Sequence, residues 1–202
     1  MARSSYSLAP RMLRWPRLCK LLTRAESGMA AVEFSLILPV LILLWIGGVE
    51  VTQALSVDRR LNNLSSSIGD LVARSKLVTY DDVTSIFNIA TGALFPYATT
   101  GLQMRITAVD MNGTGTPSVA WSRASGTTAY TSSNNALMLT LVPSALRVAN
   151  TQVIVAQVFY PYTPAVGKVI TGTRTLNDIM YFVPRLVNNI QLCDNNKQNC
   201  VS

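Results

Sequence analysis

One apolar stretch near the N-terminus constrains the fold more than any other part of this sequence. From Met29 to Val49 the chain has 21 residues and a single charged side chain, Glu33. A helix rises about 1.5 Å per residue, so a helix of this length covers roughly 30 Å, the thickness of the hydrocarbon core of a bilayer. We therefore predict a membrane-spanning helix at residues 29–49, with a kink at Pro39.

The positive charge of the chain is concentrated before this stretch. The net charge is +7, and residues 1–28 contribute six basic residues and one acidic residue. Clustered Lys and Arg beside a span hold that flank in the cytoplasm. We expect residues 1–28 to be a basic cytoplasmic leader and the chain after Val49 to be translocated. A secretory signal peptide is the alternative, since it also places a basic region before an apolar one, but Glu33 and Pro39 interrupt this apolar run.

The isolated carboxylate of Glu33 requires an explanation, because such a charge costs about 2.5 to 3.5 kcal/mol at the centre of a bilayer. One interpretation is an interfacial residue that reaches the headgroups. Its spacing offers another. Gly28, four small or apolar residues, Glu33, Phe34 and a long apolar run resemble the processing site of type IV-like prepilins, especially those of the tight-adherence (Tad) pilus. Pro39 and a Gly-Gly-x-Glu ending at Glu50 make the stretch similar to TadE-like minor pilins.

This resemblance implies a processing site, an assembly residue and a set of partners. A prepilin peptidase of the Tad type would cut after Gly28 and leave Met29 as the first mature residue, where many type IV pilins have Phe. Glu33, followed by Phe34, would pair with the N-terminal amine of a neighbouring pilin subunit. The other implied partners are the inner-membrane assembly platform and membrane lipid. The large domain after the span implies a minor subunit rather than a major pilin.

The implied function is that of a structural minor pilin, or pseudopilin, which takes part in assembling a Tad-type adhesion pilus or secretion filament. It would lie in the bacterial inner membrane with its C-terminal domain in the periplasm, or outside the cell within a pilus. The stretch from Val153 to Pro164 also resembles the C-terminal region of TadE-like and TadG-like proteins.

The fold class that we predict is α+β, with the long N-terminal helix continuing into a pilin-like domain. Residues 50–78 form an amphipathic extension of the helix, which ends near Arg74, and residues 79–202 form the domain. An apolar seam is expected along the extension at Ala54, Val57, Leu61, Leu64, Ile68 and Leu71.

The domain should contain a second helix and an antiparallel sheet of about four or five strands. The helix starts at Thr79 or Asp81 and ends before Pro96, and Asp81 and Asp82 are expected to cap it rather than to act as catalytic or metal-binding carboxylates. Strands are predicted at Leu102–Ala108, Val119–Trp121, Leu137–Val142, Thr151–Tyr160 and Ile179–Val183. Tyr160 and Tyr162 are interpreted as a strand end that packs on a loop, not as a binding site.

The three cysteines divide between the two sides of the predicted membrane. Cys19 lies on the cytoplasmic side and should stay reduced. Cys193 and Cys200 enclose a polar, turn-rich segment, and we predict that they form a disulfide, as expected in an oxidising compartment. A metal-binding pair is the alternative, but the chain has no histidine and no second thiol pair there.

Several classes of function are poorly supported by the sequence. The absence of histidine removes Ser-His-Asp and Cys-His nucleophile arrangements, and we predict no catalytic residues, metal site or cofactor. No basic and aromatic stripe follows the span, so nucleic acid is not an expected partner. Two rivals stay open, an uncleaved single-span envelope protein that binds pilus or secretion components and a membrane-anchored periplasmic enzyme with paired carboxylates.

Overall fold

The structure, a computed structural model, describes residues 27–164 and 172–201. The predicted leader and Cys19 therefore lie outside the described residues, apart from the leader's last two positions. The chain divides into two compact units, Met1–Gly48 and Val49–Ser202.

Helix α1 runs from Ser27 to Ala73, through Pro39. In the first unit its apolar side chains are exposed, as at Leu36 and Trp45, which are 72% and 71% accessible. Within the described part of the chain α1 is the one helix whose length and composition would allow it to cross a membrane.

In the second unit one side of α1 becomes the core face of a folded domain. Val57, Leu61, Leu64 and Ile68 are almost completely buried, as the seam predicts. The last position of that seam was wrong, because Leu71 is 50% exposed and the buried face continues at Val72. Residues four apart lie on the same side of a helix, so the buried side that includes Leu64 and Ile68 continues at Val72 and not at Leu71.

Within the residues that the structure describes, two further helices and seven strands follow. The helices are α2 (Tyr80–Ala93) and α3 (Asn135–Leu141), with 3-10 turns at Ser132–Asn134 and Ser144–Leu146. The strands are β1 (Leu77–Thr79), β2 (Gln103–Met111), β3 (Pro117–Ser125), β4 (Gln152–Tyr162), β5 (Arg174–Phe182), β6 (Gln191–Cys193) and β7 (Cys200–Val201).

The strands form two sheets. The larger is antiparallel, in the order β3-β2-β4-β5, and the smaller has the order β1-β6-β7, with β1 parallel to β6 and β6 antiparallel to β7. The predicted α+β class is confirmed. The separate small sheet was not predicted, because β1 and β6 each have only three residues and lie more than a hundred residues apart in sequence.

Each face of the large sheet has its own core. Alternation along β2 and β4 sends Ile106 and Ile154 to the face that packs against α1 and α2. Val109 and Val153 belong to a second cluster on the opposite face, with Met138 from α3. The two faces of β4 are therefore both buried, and its long apolar run reflects this.

The strand predicted at Leu137–Val142 was wrong, because these residues form most of α3 and the turn after it. Met138 and Val142 are fully buried, and their separation of four residues places them on one side of a helix. The Asn135 side chain accepts a hydrogen bond from the Val119 backbone at 2.8 Å, which ties the start of α3 to β3. A short apolar run is compatible with both helix and strand, and packing on the sheet decides between them.

Candidate assembly site

The residues predicted to form the processing and assembly site lie in the first two turns of α1. Gly28, Met29, Glu33 and Phe34 are all exposed, with Met29 77% and Phe34 59% accessible. After Phe34 the side chains of α1 stay mainly apolar and exposed to Trp45. This segment presents one carboxylate on an apolar surface, a combination suited to contact with lipid or with another apolar helix.

Three carboxylates of the second unit make contacts that hold its elements together. Asp178 on β5 accepts hydrogen bonds from Ser65 and Asn62 of α1, and Asp110 accepts one from Gln152 at 2.8 Å. Asp70 forms ion pairs with Arg74 and Arg185. Within residues 27–164 and 172–201, no group of three or more His, Cys, Asp or Glu side chains could hold a metal ion.

Helix α2 begins with a reciprocal capping box. The Thr79 side chain accepts a hydrogen bond from the Asp82 backbone, and the Thr79 backbone donates to the Asp82 carboxylate at 2.9 Å. Hydrogen bonds from the backbone and then the side chain of Thr79 hold the pKa of Asp82 below its ordinary value. The expectation that this carboxylate caps a helix is confirmed.

The C-terminal loop reaches the same helix end. Cys193 and Cys200 are joined by a disulfide that links β6 to β7. Within the loop, the Asn195 side chain accepts a hydrogen bond from the Asp81 backbone at 3.1 Å. Hydrogen bonds, the largest from the Gln198 backbone, lower the pKa of Asp194. The covalently closed loop thus supplies a second acceptor to the first turn of α2.

A cleft rich in tyrosine lies where β4 ends. It has a volume of about 340 Å³, and its walls include Gln53 from α1, Tyr97 from the loop after α2, and Tyr160 and Tyr162 from β4. The Tyr160 hydroxyl donates to the Ala98 carbonyl at 2.9 Å, so this side chain packs on a loop as the sequence indicates.

The hydroxyl of Tyr162 is buried and has no hydrogen-bond partner among the described residues. Burial raises the pKa of both tyrosines, and the negative charge of Glu50 raises that of Tyr162 further. Sequence reasoning missed the cleft because Gln53, Tyr97 and Tyr162 are far apart in the chain. The one local signal is the pair Tyr160 and Tyr162, which lie close together at the end of β4.

A second groove, about 350 Å³ in volume, lies between α1 and α2. Arg60, Leu71 and Ile89 are among its lining residues, and Ile89 is 71% exposed. The Arg60 guanidinium donates a hydrogen bond to the Phe95 carbonyl at 2.9 Å. This apolar groove is a candidate contact surface of the domain.

The other face of the sheet contains a buried arginine that sequence reasoning did not single out. Arg105 is 7% exposed, and its guanidinium carbon lies 3.9 Å from the centre of the Tyr130 ring. It donates to the Thr128 carbonyl and to the side chains of Thr127 and Gln157. These contacts connect the loop after β3 to the sheet. They also give the buried guanidinium three hydrogen-bond acceptors and one aromatic ring.

Comparison with known families bears on the first of these sites. Residues 28–68 match the TadE-like protein family. The predicted TadE-like resemblance is therefore confirmed over α1, starting at Gly28, and it associates the chain with the Tad pilus. The TadE-like family is a structural, pilus-associated family rather than an enzyme family. No curated protein and no solved structure matches the chain.

Proposed function

We propose that this chain is a minor pilin, or pseudopilin, of a Tad-type adhesion pilus or secretion filament. The observation that carries the proposal is the extent of the TadE-like match, which begins at Gly28 and covers the apolar and amphipathic parts of α1. On this proposal a prepilin peptidase cuts after Gly28 and the mature chain begins at Met29. The domain after Val49 then lies in the periplasm or on the filament.

The exposed side chains of α1 support a role in assembly. The most apolar 18-residue window of this helix has none of its residues buried within the chain, so its apolar surface must be covered by lipid or by other helices. Both environments are available to a pilin, which starts in the inner membrane and is taken up by an assembly platform. The proposed partners are accordingly the peptidase, other pilin subunits, the platform and lipid.

Glu33 gives the proposal its most specific chemistry. Cleavage after Gly28 creates a positive amine on Met29, and an unpaired charge of either sign is costly in an apolar layer. Pairing the Glu33 carboxylate with the amine of a neighbouring subunit would remove both costs. Phe34 follows the carboxylate and would pack beside that pair.

The first experiment tests processing. Gly28→Val should leave the full-length precursor, because a branched side chain prevents the peptidase from approaching the backbone at the cleavage point. Gly47→Val is the matched control, since nothing lies within 4 Å of a Cβ at this position of the same helix. Immunoblotting and N-terminal sequencing of the membrane fraction should show precursor for the first variant and a chain starting at Met29 for the second.

The second experiment separates assembly from processing. Glu33→Ala should be cleaved but should not enter filaments, because removing one partner of a desolvated pair costs about 3 to 5 kcal/mol, more than a hundredfold in affinity. Ser35→Ala, which removes only a local hydrogen bond to the Val32 carbonyl, should assemble normally. The measurement is the ratio of processed protein in sheared filaments to that in membranes.

One result would reject the proposal. If the wild-type protein from filament-producing cells begins upstream of Gly28, and both Gly28→Val and Glu33→Ala support normal filaments, the chain is an uncleaved, anchored envelope protein instead.

A further inference from the structure

The hairpin tip between β2 and β3 carries a sequence pattern that the proposed function does not use. Residues 110–114 are Asp-Met-Asn-Gly-Thr. Asn-x-Ser/Thr, with any residue but proline in the middle, is the acceptor pattern of N-linked glycosylation and is expected on surface loops of exported chains. The bacterial form of the pattern also has an acidic residue two positions before the asparagine. Asp110 stands at that position, so the tip matches the longer, more specific pattern.

The acceptor triplet is exposed where the hairpin reverses direction. Asn112, Gly113 and Thr114 follow the end of β2 and precede β3, and all three are exposed. The turn is closed by a hydrogen bond from the Gly115 backbone to the Asn112 carbonyl at 2.9 Å. A Cβ at Gly113 would meet no atom of the rest of the domain closer than 4.0 Å. An enzyme can therefore approach the triplet from outside.

The carboxamide of Asn112 has a defined orientation in this turn. Its oxygen accepts hydrogen bonds from the backbone amides of Thr114 and Thr116 at 2.9 and 2.8 Å, and from the Thr114 hydroxyl at 2.7 Å. Backbone amides only donate, which identifies the accepting atom as oxygen and the other branch as the nitrogen, Nδ2. Among the described residues, the hydrogen bonds of this side chain all end on the oxygen. The nitrogen to which a sugar would be joined is left available.

The acidic residue of the pattern is partly buried in the folded sheet. The Asp110 carboxylate accepts a hydrogen bond from Gln152, which lies 42 residues farther along the chain. This bond forms only after β4 has paired with β2. In a chain exported from its N-terminal side, Asp110 and Asn112 leave the membrane before Gln152 does. The whole pattern is thus presented to a membrane enzyme before the sheet holds its carboxylate.

A second Asn-x-Ser triplet, at residues 63–65, lacks these features. It lies inside α1, and the residue two positions before its asparagine is Leu61. Ser65 is fully buried, and its hydroxyl is hydrogen-bonded to Asp178. The triplet at Asn63 is therefore a comparison within the same chain, because it has the short pattern without the acid, the turn or an exposed hydroxyl.

We propose that Asn112 is an acceptor of N-linked oligosaccharide, added outside the cytoplasm. In the transfer, Nδ2 of Asn112 attacks C1 of a sugar carried on a polyprenyl diphosphate. The bond from C1 to nitrogen forms as the bond from C1 to the diphosphate oxygen breaks. Polyprenyl diphosphate leaves with that electron pair, and one amide proton passes to a base of the transferring enzyme. The inference rests on the proposed export of the domain, but it requires neither cleavage after Gly28 nor assembly into a filament.

The test expresses the full-length chain in bacterial cells that contain a bacterial oligosaccharyltransferase and its polyprenyl-diphosphate-linked oligosaccharide. Intact-mass spectrometry should show one added oligosaccharide, and peptide mapping should place it on Asn112. Cells with an inactive transferase should give the unmodified mass. Asn112→Gln and Thr114→Val should abolish the addition, whereas Thr114→Ser, which keeps the hydroxyl, should retain it.

Substitutions of Asp110 and Asn63 test the longer pattern. Asp110→Asn should lose the sugar and Asp110→Glu should keep it, because the pattern requires the charge. Asn keeps an oxygen that can accept from Gln152, so this variant preserves the contact in the sheet. Asn63→Gln should leave the sugar unchanged. Alkylation of the thiols is measured in every variant, because a protected Cys193–Cys200 pair shows that an unmodified chain was still exported and folded.

Three outcomes would overturn the inference. The first is a wild-type chain that has the Cys193–Cys200 disulfide but no sugar, or a mass change no larger than deamidation of Asn112 produces. The second is a sugar that persists in Asn112→Gln, and the third is a sugar that persists in Asp110→Asn. A wild-type chain that lacks both the sugar and the disulfide contradicts the proposed export, on which the inference depends.

Discussion

At the scale of single residues, α1 packs on the large sheet where a glycine of the helix lies against a large side chain of β5. Gly69 leaves room for the ring of Phe182, and a Cβ at Gly69 would overlap that ring and come within 3.1 Å of the Ala156 Cβ. One turn earlier, Ser65 donates a hydrogen bond to Asp178 on the same edge strand. The helix is therefore held to β5 by the close packing of Gly69 on Phe182 and, one turn earlier, by the hydrogen bond from Ser65 to Asp178.

Substitution of Gly69 tests this packing. Gly69→Val should destabilise the domain by about 1 to 3 kcal/mol, the usual cost of overpacking a core, despite the better helix propensity of most residues relative to glycine. Gly92→Ala in α2, where nothing lies within 4 Å of the added Cβ, should instead stabilise it by about 0.5 to 1 kcal/mol. Denaturant unfolding of the full chain in detergent compares the two, and equal effects would contradict the close approach at Gly69.

At the scale of elements, α2 is stabilised from two directions at its N-terminus. The capping box of Thr79 and Asp82 is local in sequence, whereas the Asn195 acceptor arrives from the disulfide-closed loop near the C-terminus. Both satisfy backbone donors that no helix can satisfy internally. The helix is thus coupled to the C-terminal loop, and the structure places its cap at Thr79, one of the two starts that the sequence allowed.

The Asp82 carboxylate makes the stability of this region dependent on pH. Its pKa is lower in the folded protein than the ordinary value of 3.8, so its contribution is complete above that value and is lost as the pH falls through the lowered pKa. Asp82→Asn should cost about 0.5 kcal/mol at pH 7, and the free energies of unfolding of wild type and variant should converge once the pH is below the lowered pKa. Urea unfolding of both proteins from pH 7 down to acid pH measures the difference between their free energies of unfolding. A difference that stays constant with pH would exclude the carboxylate as its source.

At the scale of the whole molecule, charge and hydropathy are distributed unevenly along the chain. Most of the net positive charge lies before the apolar stretch, and the folded domain and its disulfide come after it. Since a basic flank stays in the cytoplasm, this order predicts that the domain is exported. An oxidising compartment on that side would also maintain the bond between Cys193 and Cys200.

Reporter fusions test this orientation. A reporter that is active only outside the cytoplasm should be active when fused after Ser202 and inactive when fused before Met1. Replacing Arg11, Arg14, Arg17 and Lys20 by Gln should reduce the activity of the C-terminal fusion, because these charges hold the leader inside. Activity of the N-terminal fusion in the wild-type protein would reverse the proposed topology.

The sequence by itself determined the features that depend on neighbouring residues. The length and apolar character of α1, the start of α2 near Thr79 and its end before Pro96 all follow from local patterns, and the structure contains each of them. The apolar seam from Val57 to Ile68 was also predictable, because a helical period of 3.6 residues is a strong signal over several turns.

Tertiary structure decided the features that depend on residues brought together from distant parts of the chain. Leu137–Leu141 is helical because Met138 packs on the second face of the sheet, although a short apolar run fits a strand equally well. β1 pairs with β6 across more than a hundred residues, and three-residue strands carry no readable period. The tyrosine cleft joins α1, a loop and the end of β4, and it exists only because long-range packing places Gln53 and Tyr97 beside Tyr162.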